Sequence, residues 1–311
     1  MTELLRHSTA EFEALRDGAA ERLEVAPGAI EKDYWATEVL RSACAHDLGV
    51  DSVVFKGGTS LSKAYRIIER FSEDVDLLVV TGLGGNALKR LLRSIADRVT
   101  ADLDVGYERE TEGRGFLNAR FAYPAATDAA FLTSGVLLEM GSRGGPAPNE
   151  TRTVRSLMSE AAEQLDPSAL ADYADLTAFD VTVLAPERTL AEKMAFLHHH
   201  STTGDVDALR RGARHLYDVT MLLRSERVRQ GLARGEIAAL MEDVDARSQA
   251  AGWPFTPRPE AGFAASPAFS PTVAIIEAFE TGFVQLGELV WGELPGVADV
   301  LDEIRSSSEL L

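Results

Sequence analysis

The chain holds one cysteine, Cys44, among 311 residues, so no internal disulfide can form and packing, hydrogen bonds and ion pairs must hold the fold. Cys44 falls in an apolar helical pattern, which marks it as a buried, inert thiol. No apolar run approaches the roughly 20 residues that cross a bilayer, and the start from Met1 to His7 lacks the basic flank and apolar core of a secretory signal. A cytoplasmic protein without a membrane partner is expected. Positive charge is also scarce: 31 Lys and Arg stand against 49 Asp and Glu, a net charge of −18. That balance argues against a general nucleic-acid binder, because polyanions are held mainly by Lys and Arg. The deficit is concentrated late, with 13 acidic and 3 basic residues from Glu236 onward, which leaves −8 for residues 1–235. No Cys-x-x-Cys, no serine nucleophile elbow and no P-loop are present, and the missing P-loop argues against kinase- or ATPase-like phosphate binding.

With 45% hydrophobic residues the chain can bury a sizeable core as one large domain or two lobes. Its most informative stretch is Phe55 to Val79. The apolar run Val53 to Phe55 reads as a strand, Gly57-Gly58 as a tight turn, and Thr59 or Ser60 as the cap of a helix with apolar residues at Leu61, Tyr65 and Ile68. Asp74-Val75-Asp76 then leads into Leu77-Leu78-Val79-Val80, a second strand bounded by Gly82. On a strand, residues two apart share a face, so Asp74 and Asp76 present two carboxylates side by side, which is unfavourable unless a cation sits between them. Hard oxygen ligands suit Mg²⁺ or Mn²⁺, which take the rest of their shell from water and substrate phosphates. The glycine pair allows close backbone approach at a helix start, where an anion is favoured.

Before this stretch, Ser8 and Glu11 form a capping box for a helix to about Leu23, Pro27-Gly28 breaks it, and a second helix carries Ile30 to His46. Lys32-Asp33 either reaches the active site or forms an ordinary surface pair. After the stretch, Thr81 to Asn86 is a turn, with Asn86 capping a helix from Ala87 to Asp102. Lys56, Lys63, Arg66 and Arg70 are placed beside the proposed site, whereas Lys89, Arg90, Arg93 and Arg98 read as a solvated helix face. Phe116 to Tyr123 is a strand whose facing the alternation leaves open, Gly135 to Met140 a strand, Gly141 to Asn149 a loop, Val154 to Leu165 a helix and Ala178 to Leu184 a strand. From Glu187 the pattern is helical, with a Pro-rich connector, Trp253 to Pro259, between helices Gly235 to Ala250 and Pro271 to Trp291. Lys193 lies among Leu190, Met194 and Leu197 and needs an anionic partner, unless it snorkels to the surface. Arg214 and Asp218, one helical turn apart, can form an i,i+4 ion pair. His198-His199-His200 is not a metal site, because consecutive helical residues point in different directions.

Gly57-Gly58-Thr59-Ser60, a helix, and Arg70-Phe71-Ser72-Glu73-Asp74-Val75-Asp76 together resemble the signature of the polymerase-β-like nucleotidyltransferases, and within them the AbiEii toxin group, which includes the MenT toxins. Ile30 to Trp35, Leu190 to Met194 and Arg214 to Asp218 extend the resemblance over roughly residues 30 to 223. An ordered set of four motifs is far more specific than an acidic pair alone. The resemblance implies an α+β fold: a nucleotidyltransferase-type mixed sheet flanked by helices in residues 1–185, then a mostly helical lobe, residues 186–311, that completes the active site. It also implies an enzyme transferring a nucleoside monophosphate, a pyrimidine one, from an NTP to the 3′ end of tRNA, with a cognate antitoxin as partner. Asp74 and Asp76 would hold Mg²⁺. Gly57, Gly58 and Thr59 or Ser60 would hold phosphates, with Lys56 and Lys193 neutralising charge and Ser72 helping to place the ligands. Arg214 and Asp218 would join the site, and a third carboxylate commonly comes from a later strand, for which Glu139 is the candidate and a surface glutamate the alternative. The family's Arg-Asp-x-x-Asp run is broken here by His215, onto which no role is carried. Two other readings share these residues: a small-molecule nucleotidyltransferase of the antibiotic-modifying kind, which suits an acidic protein, and a non-catalytic relative that only binds a nucleotide or a protein partner.

Overall fold

A computed structural model describes residues 3–45, 49, 51–72, 74–126 and 132–311. His46, the expected end of the second helix, and Glu73 of the acidic motif lie outside them. The chain divides into two units, one of Met1–Ala64, Phe71–Arg143 and Glu150–Val183, the other of Tyr65–Arg70, Gly144–Asn149 and Leu184–Leu311. Tyr65–Arg70 and Gly144–Asn149, which the expected boundary leaves in the first lobe, belong to the second unit.

The first unit begins with α1 (Thr9–Leu23) and α2 (Pro27–Cys44). Ser8 precedes α1 as expected, but its hydroxyl donates to the Glu11 carboxylate instead of accepting from the first turn. Pro27, expected to end a helix, starts α2 at its first turn, where a missing N–H is harmless. Next come β1 (Ser52–Lys56), α3 (Gly57–Lys63), β2 (Asp74–Val80) and α4 (Gly85–Leu103). The helix α3 stops well short of Ile68, and Arg66 takes a left-handed backbone at φ 56°. Gly84, not Asn86, caps α4.

The rest of the first unit's strands and helices are β3 (Tyr107–Gly113), β4 (Phe116–Phe121), β5 (Val136–Gly141), β6 (Asn149–Val154), α5 (Leu157–Leu165), α6 (Ala169–Asp172) and β7 (Phe179–Leu184). Among the described residues they build a seven-stranded mixed sheet in the order β3-β4-β5-β2-β1-β7-β6. β2 runs antiparallel to β1 and parallel to β5, which places it inside the sheet. The outer strands β3 and β6 escape a sequence reading because they lack apolar alternation; β3 carries Glu108, Arg109, Glu110 and Glu112.

Strand register sorts the side chains by face. Phe55, Val75, Leu77, Val79, Leu117, Ala119, Phe121, Leu138 and Met140 fall on one face and are buried. This settles the facing of β4. Leu88, Leu92, Ile95 and Val99 of α4 are also buried, and α2 is buried along most of its length. The opposite face of the central strands carries Lys56, Asp74, Asp76, Asn118 and Glu139.

The second unit is helical: α7 (Pro186–Thr203), α8 (Val206–Arg211), α9 (Ala213–Arg224), α10 (Glu226–Ala233), α11 (Glu236–Ala251), α12 (Val273–Leu286) and α13 (Val297–Ser306). The three histidines near the end of α7 serve structure. His198 donates from Nε2 to the Pro257 carbonyl at 3.1 Å and accepts at Nδ1 from Ser266, His199 meets Thr256, and His200 faces Asp205. Cys44 has its thiol pushed up to about 12 by burial, which keeps it protonated at neutral pH.

Lys32 and Asp33 do not pair with each other. Lys32 Nζ donates to the Thr133 carbonyl at 2.6 Å, while Asp33 accepts from Lys63 Nζ at 2.5 Å and from the Leu157 N–H at 2.7 Å. Asp33 thereby ties α2 to the end of α3 and the start of α5, with its side chain only 9% exposed. Removing one partner of a buried ion pair strands the other. Asp33→Ala is expected to lower the unfolding free energy by about 3–5 kcal/mol, read from the urea midpoint; a loss below about 1 kcal/mol would show that the pair holds nothing together.

Candidate active site

The pleat of β2 builds the first part of the site. Asp74 and Asp76 project to one face, and the intervening Val75 is fully buried on the other. Asp76 lies in register with Glu139 of β5 and with Lys56 of β1, and Glu139 in turn with Asn118 of β4. A single row of polar side chains, Asn118, Glu139, Asp76 and Lys56, therefore crosses four strands. In such a row neighbours stand about 5 Å apart. Asn118 Nδ2 donates to Glu139 Oε1 at 2.9 Å. Among the described residues no three His, Cys, Asp or Glu side chains converge as a ready-made metal centre; Glu139 stands on the same face, in register with Asp76. The donors that are present, two hard carboxylates on one strand face, fit Mg²⁺ or Mn²⁺ completed by phosphate oxygens and water.

The glycine turn is fitted to the acidic pair. Gly57 has φ +75°, and a Cβ built there would lie 2.0 Å from Asp76 Oδ2. Only glycine allows both that backbone and that approach. Thr59 and Ser60 are not helix caps: they lie inside the first turn of α3, after Lys56 at the cap position. The Thr59 hydroxyl donates to the carbonyl of Asp74, and the Ser60 hydroxyl to that of Gly57 at 2.9 Å. Both hydroxyls brace the turn, and any phosphate here meets the backbone N–H groups of the first turn. Ser72 is half-buried two residues before β2.

The second unit holds the other candidates. Asp218 of α9 is fully buried, and Arg70 grips it with Nε on Oδ1 and Nη2 on Oδ2, both at 2.8 Å. Lys193 of α7, also buried, adds Nζ at 2.7 Å from Oδ2. Sequence spacing offers Arg214 as a partner of Asp218; the structure brings Arg70, 148 residues away in sequence, and Lys193 to hydrogen-bond distance of it. Burial pushes the Asp218 carboxyl up, but the two cations and their hydrogen bonds win and hold it well below the usual carboxylate range. Lys193 is pulled below the ordinary lysine value, first by burial, with Asp218 opposing. The sequence places Arg70 on a helix beside the proposed site; that helix ends at Lys63, and the bidentate grip on Asp218 has no local signature. Asn118 was readable only as one half of a strand alternation.

Two outcomes follow. Gly57→Ala forces a strained backbone and displaces Asp76, and a misplacement of about 1 Å is enough for a loss of about 100-fold in kcat/KM; wild-type kinetics in this variant would separate the turn from the acidic pair. Arg70→Ala should lower stability at neutral pH by about 3–5 kcal/mol. Because the folded Asp218 pKa is depressed, the stability this group contributes is present above the unfolded carboxylate range near 3.9 and is lost as pH falls below it. Urea titrations of wild type and Asp218→Asn from pH 7 down to 3 should therefore converge; parallel curves would remove the linkage.

A family model of the AbiEii nucleotidyltransferase toxins of type IV toxin–antitoxin systems matches residues 38–284. Among solved structures, MenT4, a nucleotidyltransferase toxin of Mycobacterium tuberculosis, aligns over 95% of this chain and 88% of its own with a TM-score of 0.53 and 16% identity, a likeness of fold. JHP933 of Helicobacter pylori aligns over 92% of this chain and 95% of its own, with a TM-score of 0.42 and 14% identity. No curated protein matches. The family match spans most of the chain, including the glycine turn, both aspartates of β2, Lys193 and Asp218, and the chain belongs to the AbiEii family of nucleotidyltransferase toxins.

Proposed function

We propose that this toxin transfers a nucleoside monophosphate, from a pyrimidine NTP, to the 3′ end of tRNA and so blocks aminoacylation. The observation that carries the reading is the polar row across β4, β5, β2 and β1, with the glycine turn pressed against Asp76. The tRNA acceptor end, the pyrimidine donor and a cognate antitoxin are what the resemblance to the AbiEii group implies. No helix among the described residues is long and apolar enough to cross a membrane.

In this reading the triphosphate lies along the turn at Gly57 and Gly58, where a side chain would block it, with Thr59 and Ser60 keeping the turn in shape. Asp74 and Asp76 hold Mg²⁺ or Mn²⁺, which when bound supplies charge neutralisation at the phosphates and a more acidic acceptor hydroxyl. Lys56, opposite Asp76, and Lys193 counter the charge that grows on the departing pyrophosphate. Arg214 adds to the nucleotide contacts, and Ser72 keeps the approach to β2 in place. Asp218, with no exposed surface, acts through Lys193, keeping the amine charged. The acceptor oxygen joins the α-phosphorus as the bond to the β-phosphate side breaks.

The test is incorporation of label into total tRNA from each of the four NTPs in turn with Mg²⁺. Label from one or two pyrimidine nucleotides, lost in Asp74→Ala and Asp76→Ala, is expected. Label in a small cationic acceptor would instead favour the antibiotic-modifying kind of chemistry, which the net charge of −18 suits. Growth inhibition undiminished in a stably folded double-alanine variant would end the enzymatic account of toxicity.

A further inference from the structure

Lys193 has a second partner besides Asp218: its Nζ lies 3.1 Å from Nδ1 of His215 on α9. An ammonium has three donors and no acceptor. The contact is therefore a hydrogen bond only when Nδ1 is bare and the ring proton sits on Nε2. Lys193 is the charged partner, because Asp218 beside it is an ionised carboxylate already gripped by Arg70. The ring is steadied by Phe196, edge-on with centroids 4.6 Å apart and one turn along α7 from Lys193.

We propose that His215 is a positioning residue for nucleotidyl transfer: as a neutral Nε2–H imidazole it accepts from Lys193 and fixes the direction of the ammonium that meets the triphosphate. This rests on the reading that Lys193 contacts the nucleotide phosphates. A neutral acceptor suits that task. An uncharged imidazole orients the lysine without neutralising the charge it presents to a phosphate. The charged groups around the ring are Lys193 on α7, Arg214 and Asp218 on α9, and Arg70. Burial, then Lys193, Arg214 and Arg70, oppose a charged imidazole, while Asp218 favours it; the net hold is well below the usual histidine range. Protonation would turn Nδ1 into a donor facing a donor and break the contact.

Three readouts test this. Long-range ¹⁵N–¹H spectra of the histidine rings in the full chain should show one ring, lost in His215→Asn, that stays in the Nε2–H form when pH falls below 6.5. Nucleotide kcat/KM should fall about tenfold or more in His215→Leu, while His215→Asn, whose side-chain oxygen can replace Nδ1, keeps it near wild type. Stability of the wild type should fall with pH below 6.5, because the unfolded histidine takes up a proton that the folded one refuses, and this slope should flatten in His215→Asn. An Nδ1–H ring, ordinary titration near 6.5, or identical kinetics in the Asn and Leu variants would overturn the role of His215 while leaving Lys193 its own. Unchanged kcat/KM for the nucleotide in Lys193→Met would instead remove the reading beneath it.

Discussion

Two carboxylates on one strand face repel, and the first unit is arranged so that β2 can carry them. The period of two along β2 sends Val75, Leu77 and Val79 into the core and leaves Asp74 and Asp76 on the other side. Burial of the first set fixes the register, and the register fixes which residues of β1 and β5 stand beside the acids. A slip by one residue would bury both aspartates and expose three valine or leucine side chains. The chemistry of the site is thus secured by the apolar face behind it.

In the helical unit the organising interaction is electrostatic. One fully buried carboxylate, Asp218, receives a bidentate arginine and a lysine, so the charge is shared inside the protein. Such a cluster adds little net stability over apolar residues of similar volume, yet loses heavily when one member is removed.

Much of this was legible in the sequence. The strand–turn–strand core, the shared face of Asp74 and Asp76, the strand ending in Glu139, the helix carrying Lys193 and the change to a helical pattern near Pro186 follow from periodicity and punctuation. The outer strands β3 and β6 were not legible, because an edge strand rich in charged residues has no alternation to detect. Nor was the fate of Arg70: the apolar spacing at Leu61, Tyr65 and Ile68 continues a helix that the backbone leaves after Lys63. Thr59 and Ser60 have the chemistry of caps, but a helix starting at Gly57 turns them inward to brace carbonyls. Pairings such as Lys63 with Asp33 and Glu139 with Asn118 depend on which elements pack together, and no local pattern encodes that.

The sheet's two outer strands have a further consequence. β3 exposes Glu108, Arg109 and Glu110, and β6 carries Glu150 and Arg152, so neither border offers a plain apolar ribbon. A second strand approaching either border would have to desolvate charges before it gained a single backbone hydrogen bond. The borders of the sheet are thus guarded by charge, and that desolvation cost is what discourages a further strand from joining.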